Sequence, residues 1–160
     1  MSETINTQTV VDIKLDIQTR RKYRINGDDN LIIELNPADF GIISRYEKAI
    51  VSLNDLLEAV MTIDFMEEPS AEDPAIKQFE EADAKARELV NEVFNYDVCS
   101  VCAEGGSMFD LCNGKYRFEE IMVQLFQLYD DAIQKEQKKL EARIRKHTDK
   151  YTPTDHRKKS

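Results

Sequence analysis

Three cysteines lie close together in the chain, and their type and spacing come nearest to a chemical site. Cys99, Cys102 and Cys112 give the spacing C-x2-C-x9-C. A structural zinc site needs four Cys or His ligands, but the only histidines, His147 and His156, lie in the basic C-terminal part. A redox pair of the thioredoxin type is expected near a βαβ pattern, which this sequence lacks. We therefore expect three buried apolar side chains, with a small metal-binding or redox module as the alternative.

Adjacent carboxylates are the second group that could do chemistry. General acid–base catalysis needs carboxylates in a cleft whose surroundings separate their pKa values. These pairs instead fall on charged faces of predicted helices, so we expect them to be solvated. Gly105-Gly106 is followed by no Lys-Ser or Lys-Thr and therefore predicts no phosphate loop. We expect no enzymatic activity and no cofactor. The pairs are Glu67/Glu68, Glu80/Glu81, Glu119/Glu120 and Asp130/Asp131.

The composition indicates one ordinary soluble domain. The chain has 160 residues, of which 41% are hydrophobic and 33% charged. No apolar run approaches the ~20 residues that a membrane helix needs, and the N-terminal stretch does not resemble a signal peptide. Three clustered cysteines do not make a disulfide framework. We therefore expect a protein of the reducing cytoplasm without a membrane partner.

The net charge of −9 is unevenly distributed. Residues 54–104 hold 14 Asp/Glu against 3 Lys/Arg, whereas residues 141–160 hold 7 Lys/Arg against 3 Asp/Glu. Binding to phosphate backbones is driven by Lys and Arg, so the acidic middle argues against a nucleic-acid partner. The basic end is interpreted as a solvated helix terminus, with nucleic-acid binding by this tail as the weaker alternative.

The first part of the chain predicts a small sheet. Residues 10–17 alternate between apolar and polar side chains, which is typical of a half-buried strand. Lys22–Asn26 and Leu31–Leu35 predict two further strands, and the Asn26-Gly27 turn separates them. Short polar connections favour an antiparallel three-stranded meander over residues 10–35.

Two predicted helices follow, and the start of each is indicated by a capping residue followed by a proline. Asn36 and Pro37 predict the start of a helix that reaches about Met66. Asp73-Pro74 predicts a second helix, from Pro74 to about Phe94.

An apolar elbow and a long last helix complete the predicted fold. We expect a short helix near Val98–Ala103, a turn over Ser107–Cys112 capped by Ser107, and a helix over Tyr116–His147. The fold class is therefore α+β, with a small N-terminal antiparallel β-meander followed by an α-helical bundle with a long C-terminal helix. We expect a single domain over residues 1–151, with helices over 37–147 and a disordered basic tail over 152–160.

The last helix holds the candidate partner-binding residues. Its first half carries large apolar side chains that could be core or could form a groove for a partner helix. Its second half, Gln134–His147, is nearly all charged, with only Leu140 and Ile144 at core spacing. We expect that half to project from the body, and an isolated projecting helix favours a partner. The candidates are Phe118, Met122, Leu125, Phe126, Tyr129, Glu136 and Lys139.

Four stretches of the sequence resemble tail assembly chaperones of siphophages and prophages from Gram-positive bacteria. They cover most of the chain, from about Ile13 to Tyr151. The chain departs from the related pattern in having Ala103-Glu104-Gly105-Gly106 where a Phe-Gly is usual, and Lys115 where a proline is frequent. The stretches are DIKLDIQTRRKYRING, IELNPADFGIISRYEKAI, VNEVFNYDVCSVCAEGGSMFDLCNG and ARIRKHTDKYT.

The resemblance implies a non-catalytic adaptor in the cytoplasm of a bacterial host. Such chaperones bind the long helical tape-measure protein, keep it soluble and support assembly of the tail tube around it. The tape-measure protein is the implied partner, and the major tail protein and a homo-oligomeric second copy stay open as further partners. A structural tail or neck component from the same gene cluster is the alternative within this resemblance.

Overall fold

A small hairpin and three long helices make up most of the protein. The computed structural model describes residues 9–15, 20–65, 67–68, 70 and 72–151, with side chains described as far as Lys146. The α+β fold class is confirmed, and so is the long C-terminal helix. The elements are β1 (Arg21–Ile25), β2 (Asp28–Leu35), α1 (Ile42–Met61), α2 (Pro74–Phe94), α3 (Val98–Cys102), β3 (Leu111–Cys112), β4 (Lys115–Tyr116) and α4 (Arg117–Tyr151).

The hairpin β1–β2 is antiparallel and closes through a two-residue turn. Asn26 and Gly27 have φ of 54° and 71°. Two successive positive φ values suit the right-handed twist of the flanking strands, and Asn-Gly is the preferred pair for them. Tyr23 lies opposite Ile33, and the register shifts between Arg24 and Ile25.

The predicted first strand of the meander is wrong. Residues 10–15 form no strand, and their apolar side chains are exposed, with Val11 at 82% and Ile13 at 76%. Residues 16–19, which include Ile17, lie outside the described residues. Alternation is a property of one segment, whereas a strand also needs a neighbouring backbone to bond with. The described sheet is therefore a two-stranded hairpin.

Helix α1 begins at Ile42, later than the predicted Pro37. The Asn36 carboxamide accepts a hydrogen bond from the Ala38 N–H at 3.2 Å, and the Asp39 carboxylate accepts one from the Gly41 N–H at 2.9 Å. These local side-chain bonds hold the backbone in turns and compete with the helix. The helix ends at Met61, earlier than the predicted Met66, where the Thr62 hydroxyl donates to the Ala59 carbonyl.

Helix α2 has the predicted bounds. The Asp73 carboxylate accepts from the Ala75 N–H at 3.0 Å, and Pro74 occupies the first turn, where no backbone donor is needed. Asn95 ends the helix in the left-handed conformation, with φ of 52°.

The elbow contains the predicted short helix and a second small hairpin that was not predicted. Helix α3 is capped by the Asp97 carboxylate, and the Ser107 hydroxyl accepts from the Phe109 N–H at 3.0 Å. The predicted turn over Ser107–Cys112 ends in strand β3, which pairs with β4 around Asn113-Gly114. These two residues have φ of 53° and 79°, so they repeat the turn chemistry of Asn26-Gly27.

One hydrophobic core joins the hairpin to all four helices. Ile33 and Leu35 of β2 lie in it with no exposed surface. Helix α4 enters the core as far as Ile133, which is 5% exposed, and every described side chain after it is exposed. We call residues 20–133 the body and residues 134–146 the extension. The predicted disorder of residues 152–160 falls outside the described residues.

Candidate partner-binding site

Four of the predicted partner-binding residues lie inside the body. Phe118, Met122, Leu125 and Tyr129 are buried members of the core. A partner could reach them only if the body opened. Phe126 is half-buried, and its ring centroid lies 4.5 Å from that of Tyr46. The apolar first half of α4 therefore builds the core.

Burial also determines the protonation state of the Tyr129 phenol. Desolvation, with a smaller contribution from the nearby Asp39 carboxylate, raises the pKa of Tyr129 to about 12. The Tyr129 ring packs 5.8 Å from Phe94, the last residue of α2. The neutral Tyr129 side chain therefore packs the middle of α4 against the end of α2.

The cysteines show the features of packed thiols. Cys99 is buried, while Cys102 and Cys112 are half-buried. Burial raises the pKa of Cys99 to about 12 and the pKa of Cys102 to about 11. The thiolate is the form that attacks and binds metals, so these two side chains are held in their unreactive form at neutral pH. Within the part of the chain that the structure describes, no three His, Cys, Asp or Glu side chains are grouped to hold a metal ion.

A polar network connects α2, the elbow and the start of α4. The Asp83 carboxylate accepts from the Ser107 hydroxyl at 3.0 Å and from the Met108 N–H at 2.7 Å. The Arg87 guanidinium lies 3.5 Å from the second Asp83 oxygen and donates to the Gly106 carbonyl. These bonds fix the position of α2 against the elbow. Sequence reasoning missed the network, and its one signal was the i,i+4 spacing of Asp83 and Arg87.

The network extends to α4 through Arg117. Its guanidinium donates to the Ser107 carbonyl at 3.2 Å and to the Asp110 carboxylate at 3.3 Å. A Cβ atom on Gly106 would lie 2.9 Å from the same guanidinium. The arrangement joins α2, the elbow and the start of α4 through Asp83, Ser107 and Arg117.

A groove of about 950 Å³ runs between the hairpin and the second half of α4. One wall comes from the start of β1 and the segment after β2, and the other wall comes from α4. Five of its residues are Lys or Arg, whereas two are acidic. We call it the basic groove. Its lining residues are Arg20, Arg21, Tyr23, Pro37, Ala38, Leu128, Asp131, Ala132, Gln134, Lys135, Glu136, Lys138 and Lys139.

The basic groove brings together the two charged residues predicted for partner binding. Glu136 and Lys139 line it, and the Lys139 ammonium lies 3.6 Å from the Glu136 carboxylate. Both are exposed, so their pairing is weak and leaves them free to meet other groups. Sequence reasoning did not single out Arg20 and Arg21, which lie before and at the start of β1. Arg20 donates to the carbonyls of Glu34 and Asn95, so this wall is anchored to both β2 and the end of α2.

No helix among the described residues has the length and apolar character needed to cross a membrane. A scan against protein-family models finds no match, and searches of curated proteins and of solved structures find none either.

Proposed function

We propose that this protein is a phage tail assembly chaperone that binds the tape-measure protein in the cytoplasm of the bacterial host and supports tail tube assembly. The observation that carries the proposal is the basic groove, which lies beside an exposed helical extension on an otherwise acidic molecule. The resemblance of the sequence to tail assembly chaperones agrees with a site built for a helical partner.

The shape of the basic groove suits an amphipathic helix. Its α4 wall runs from Leu128 to Lys139, which at 1.5 Å per residue is roughly 16 Å, or three turns. Tyr23, Leu128 and Ala132 are half-buried and supply apolar surface between the charged side chains. An amphipathic helix lays its apolar face on such a surface and leaves its polar face outward.

The charge of the groove selects among helical segments. Lysine and arginine at the rim attract acidic segments and repel basic ones, which gives specificity and faster encounter. The remaining surface is acidic and keeps the protein soluble. We propose acidic amphipathic segments of the tape-measure protein as the occupants, and the major tail protein as a second partner during tube assembly.

The other chemical groups support a role without catalysis. The Ser107 hydroxyl is bonded to Asp83 and the Phe109 N–H, and the Cys99 and Cys102 thiols are held protonated by burial. Both groups stabilise the body, and neither is set up as a nucleophile.

Co-expression with the tape-measure protein of the same gene cluster tests the proposal. The double variant Lys135→Glu/Lys139→Glu reverses two charges of the groove, and Lys48→Glu/Lys77→Glu reverses two exposed charges of α1 and α2 as a matched control. At up to about 1 kcal/mol for each of the two rim charges, the groove variant should bind up to about thirtyfold more weakly. We expect less tape-measure protein in the soluble fraction with the groove variant, and wild-type amounts with the control.

Two results would overturn the proposal. If the wild-type chain neither binds nor solubilises the tape-measure protein, the chaperone function is wrong. If the groove variant folds and solubilises it as well as wild type, the basic groove is not the site. Mass spectrometry of finished virions separates the chaperone from a tail or neck component, because only the latter is retained in the particle.

A further inference from the structure

The α4 wall of the basic groove changes in character along the helix axis. Leu128 and Ala132, nearest the body, are half-buried, and so is Tyr23 of the opposite wall. Lys135 and Lys138 follow them on α4 and are exposed. At 1.5 Å per residue, Leu128 and Lys138 lie roughly 15 Å apart along the axis. The groove therefore has an apolar inner part beside the body and a cationic outer part along the extension.

The cationic face of the outer part continues beyond the groove. Lys139 and Lys146 follow Lys135 by four and eleven residues. At about 100° per residue, both lie within about 40° of Lys135 around the helix. Leu140 and Ile144 lie roughly 140° and 180° away from Lys135, so they belong to the other side of α4. The lysine face therefore extends for roughly 16 Å from Lys135 without an apolar interruption.

Three cations on the two walls of the groove lack a counter-charge within the described part of the chain. Arg21 of β1 and Lys135 and Lys138 of α4 form no ion pair with any described residue, whereas Lys139 lies 3.6 Å from Glu136. Unpaired cations on both walls of a groove reinforce one another and attract anions. The outer part is therefore suited to carboxylates.

A carboxylate stands beside the inner part and excludes other carboxylates from it. Asp131 lines the groove between Leu128 and Ala132 in the sequence, and its side chain is exposed. Like charges brought together in an interface lower the affinity and suppress the wrong partners. The inner part therefore accepts apolar side chains and repels acidic ones, whereas the outer part has the opposite preference.

We propose that the basic groove recognises the order of side chains along its occupant: a helical segment of the tape-measure protein in which one apolar turn is followed by acidic turns. This specificity rests on the proposed function and adds to it the sequence order that a bound segment must have. The apolar turn packs on Tyr23, Leu128 and Ala132, and the carboxylates pair with the free cations of the walls. A segment that mixes the two kinds of side chain along its length fits neither part.

Two synthetic peptides of identical composition test the proposal on the full chain. Both are about 20 residues long and carry a side-chain staple, because short isolated helices are marginal in water. The ordered peptide has its leucines in the first turns and its glutamates in the following turns, whereas the mixed peptide alternates them. Fluorescence anisotropy at low ionic strength should show about tenfold tighter binding of the ordered peptide, and added salt should reduce the preference. Equal affinities, or tighter binding of the mixed peptide, overturn the proposal.

Variants of the chain assign the preference to the two parts of the groove. Lys135→Gln/Lys138→Gln should weaken binding of the ordered peptide on the order of tenfold. The matched control Lys48→Gln/Lys77→Gln, at two exposed lysines of α1 and α2, should bind it like wild type. Asp131→Asn should strengthen binding of the mixed peptide several-fold and leave the ordered peptide nearly unchanged. Circular dichroism establishes that each variant folds, and wild-type affinities in all of them would overturn the proposal.

Co-expression with the tape-measure protein separates failure of this proposal from failure of the proposed function. If the chain solubilises the tape-measure protein but does not prefer the ordered peptide, the order requirement is wrong and the chaperone function stands. If the chain binds neither peptide and leaves the tape-measure protein insoluble, the chaperone function is wrong as well. A preference for the ordered peptide without solubilisation of the tape-measure protein would overturn the proposed partner.

Discussion

The two halves of helix α4 lie in different environments. The buried first half stabilises the body, whereas the exposed second half is accessible to a partner. From Phe118 to Ile133 most of its large apolar side chains lie in the core or pack against it, and Tyr129 is packed against Phe94. From Gln134 to Lys146 every side chain is exposed and most are charged. An isolated helical extension gains little from its own propensity, so the second half needs another role. In the proposed function that role is to form one wall of the basic groove.

The largest expected effect comes from placing the same charge in each half of α4. Leu125→Asp buries a carboxylate without a partner, which should cost more than about 4 kcal/mol and unfold the body. Leu140→Asp makes the same change at a side chain that is 44% exposed, and it should change the free energy of unfolding by less than about 1 kcal/mol. Urea denaturation of both variants measures the contrast. Equal losses of stability would mean that the two halves are packed alike.

The elbow network gives the next largest effect. Asp83→Ala removes the acceptor of the Met108 N–H and of the Ser107 hydroxyl, so we expect a loss of about 1–3 kcal/mol. Glu80→Ala, an exposed carboxylate on the same helix, is the control and should stay within about 0.5 kcal/mol of wild type. A stability of Asp83→Ala equal to that of the control would show that the network does not hold α2 to the elbow.

Local signals in the sequence predicted α2 well and α1 less well. Asp73-Pro74 determines the start of α2, because the Asp73 carboxylate accepts a hydrogen bond from the N–H two residues later. A bond between such close neighbours can be predicted from the sequence. The same type of signal at Asn36-Pro37 leads into turns, because Asn36 and Asp39 each bond to a nearby N–H before the helix begins. Capping residues therefore indicate a turn of the backbone more reliably than they indicate the first residue of a helix.

Features that join distant parts of the chain could not be predicted. Arg21 and Lys135 are more than a hundred residues apart, and only the docking of the hairpin beside α4 places them in one groove. The strand expected over residues 10–17 is not formed over residues 10–15, for the related reason that its pattern contains no information about a neighbouring strand. The charged pair Glu136 and Lys139 was predicted from its place on the projecting helix, and the structure adds the opposite wall.

Burial of the Cys99 thiol should make the free energy of unfolding fall at alkaline pH. Burial raises the pKa of Cys99 from its ordinary value of 9.0 to about 12. Above pH 9 the unfolded chain loses this proton while the folded chain keeps it, so the unfolded state binds fewer protons and stability falls as pH rises. Cys99→Ala should lose on the order of 1–2 kcal/mol at neutral pH and should show a shallower decline above pH 9. Urea denaturation across this pH range measures the loss of stability at neutral pH and its decline above pH 9. A decline in Cys99→Ala as steep as in wild type would contradict burial of the thiol.

Stoichiometric zinc in the purified wild-type protein would instead favour a metal-binding role for the cysteines.

The smallest effect on stability is expected from the charged pair of the extension. Glu136 and Lys139 are 3.6 Å apart, with about half or more of each side chain exposed. Exposed pairs of this type contribute at most about 1 kcal/mol, so Glu136→Lys should leave the unfolding midpoint in urea nearly unchanged. The same substitution removes one of the two acidic side chains of the basic groove and adds a cation. If acidic helices bind there, Glu136→Lys should bind the tape-measure protein more tightly than wild type, whereas Lys139→Glu should bind it more weakly. Opposite shifts at equal stability would identify the groove as the recognition surface, and parallel shifts would mean that its charge does not select the partner.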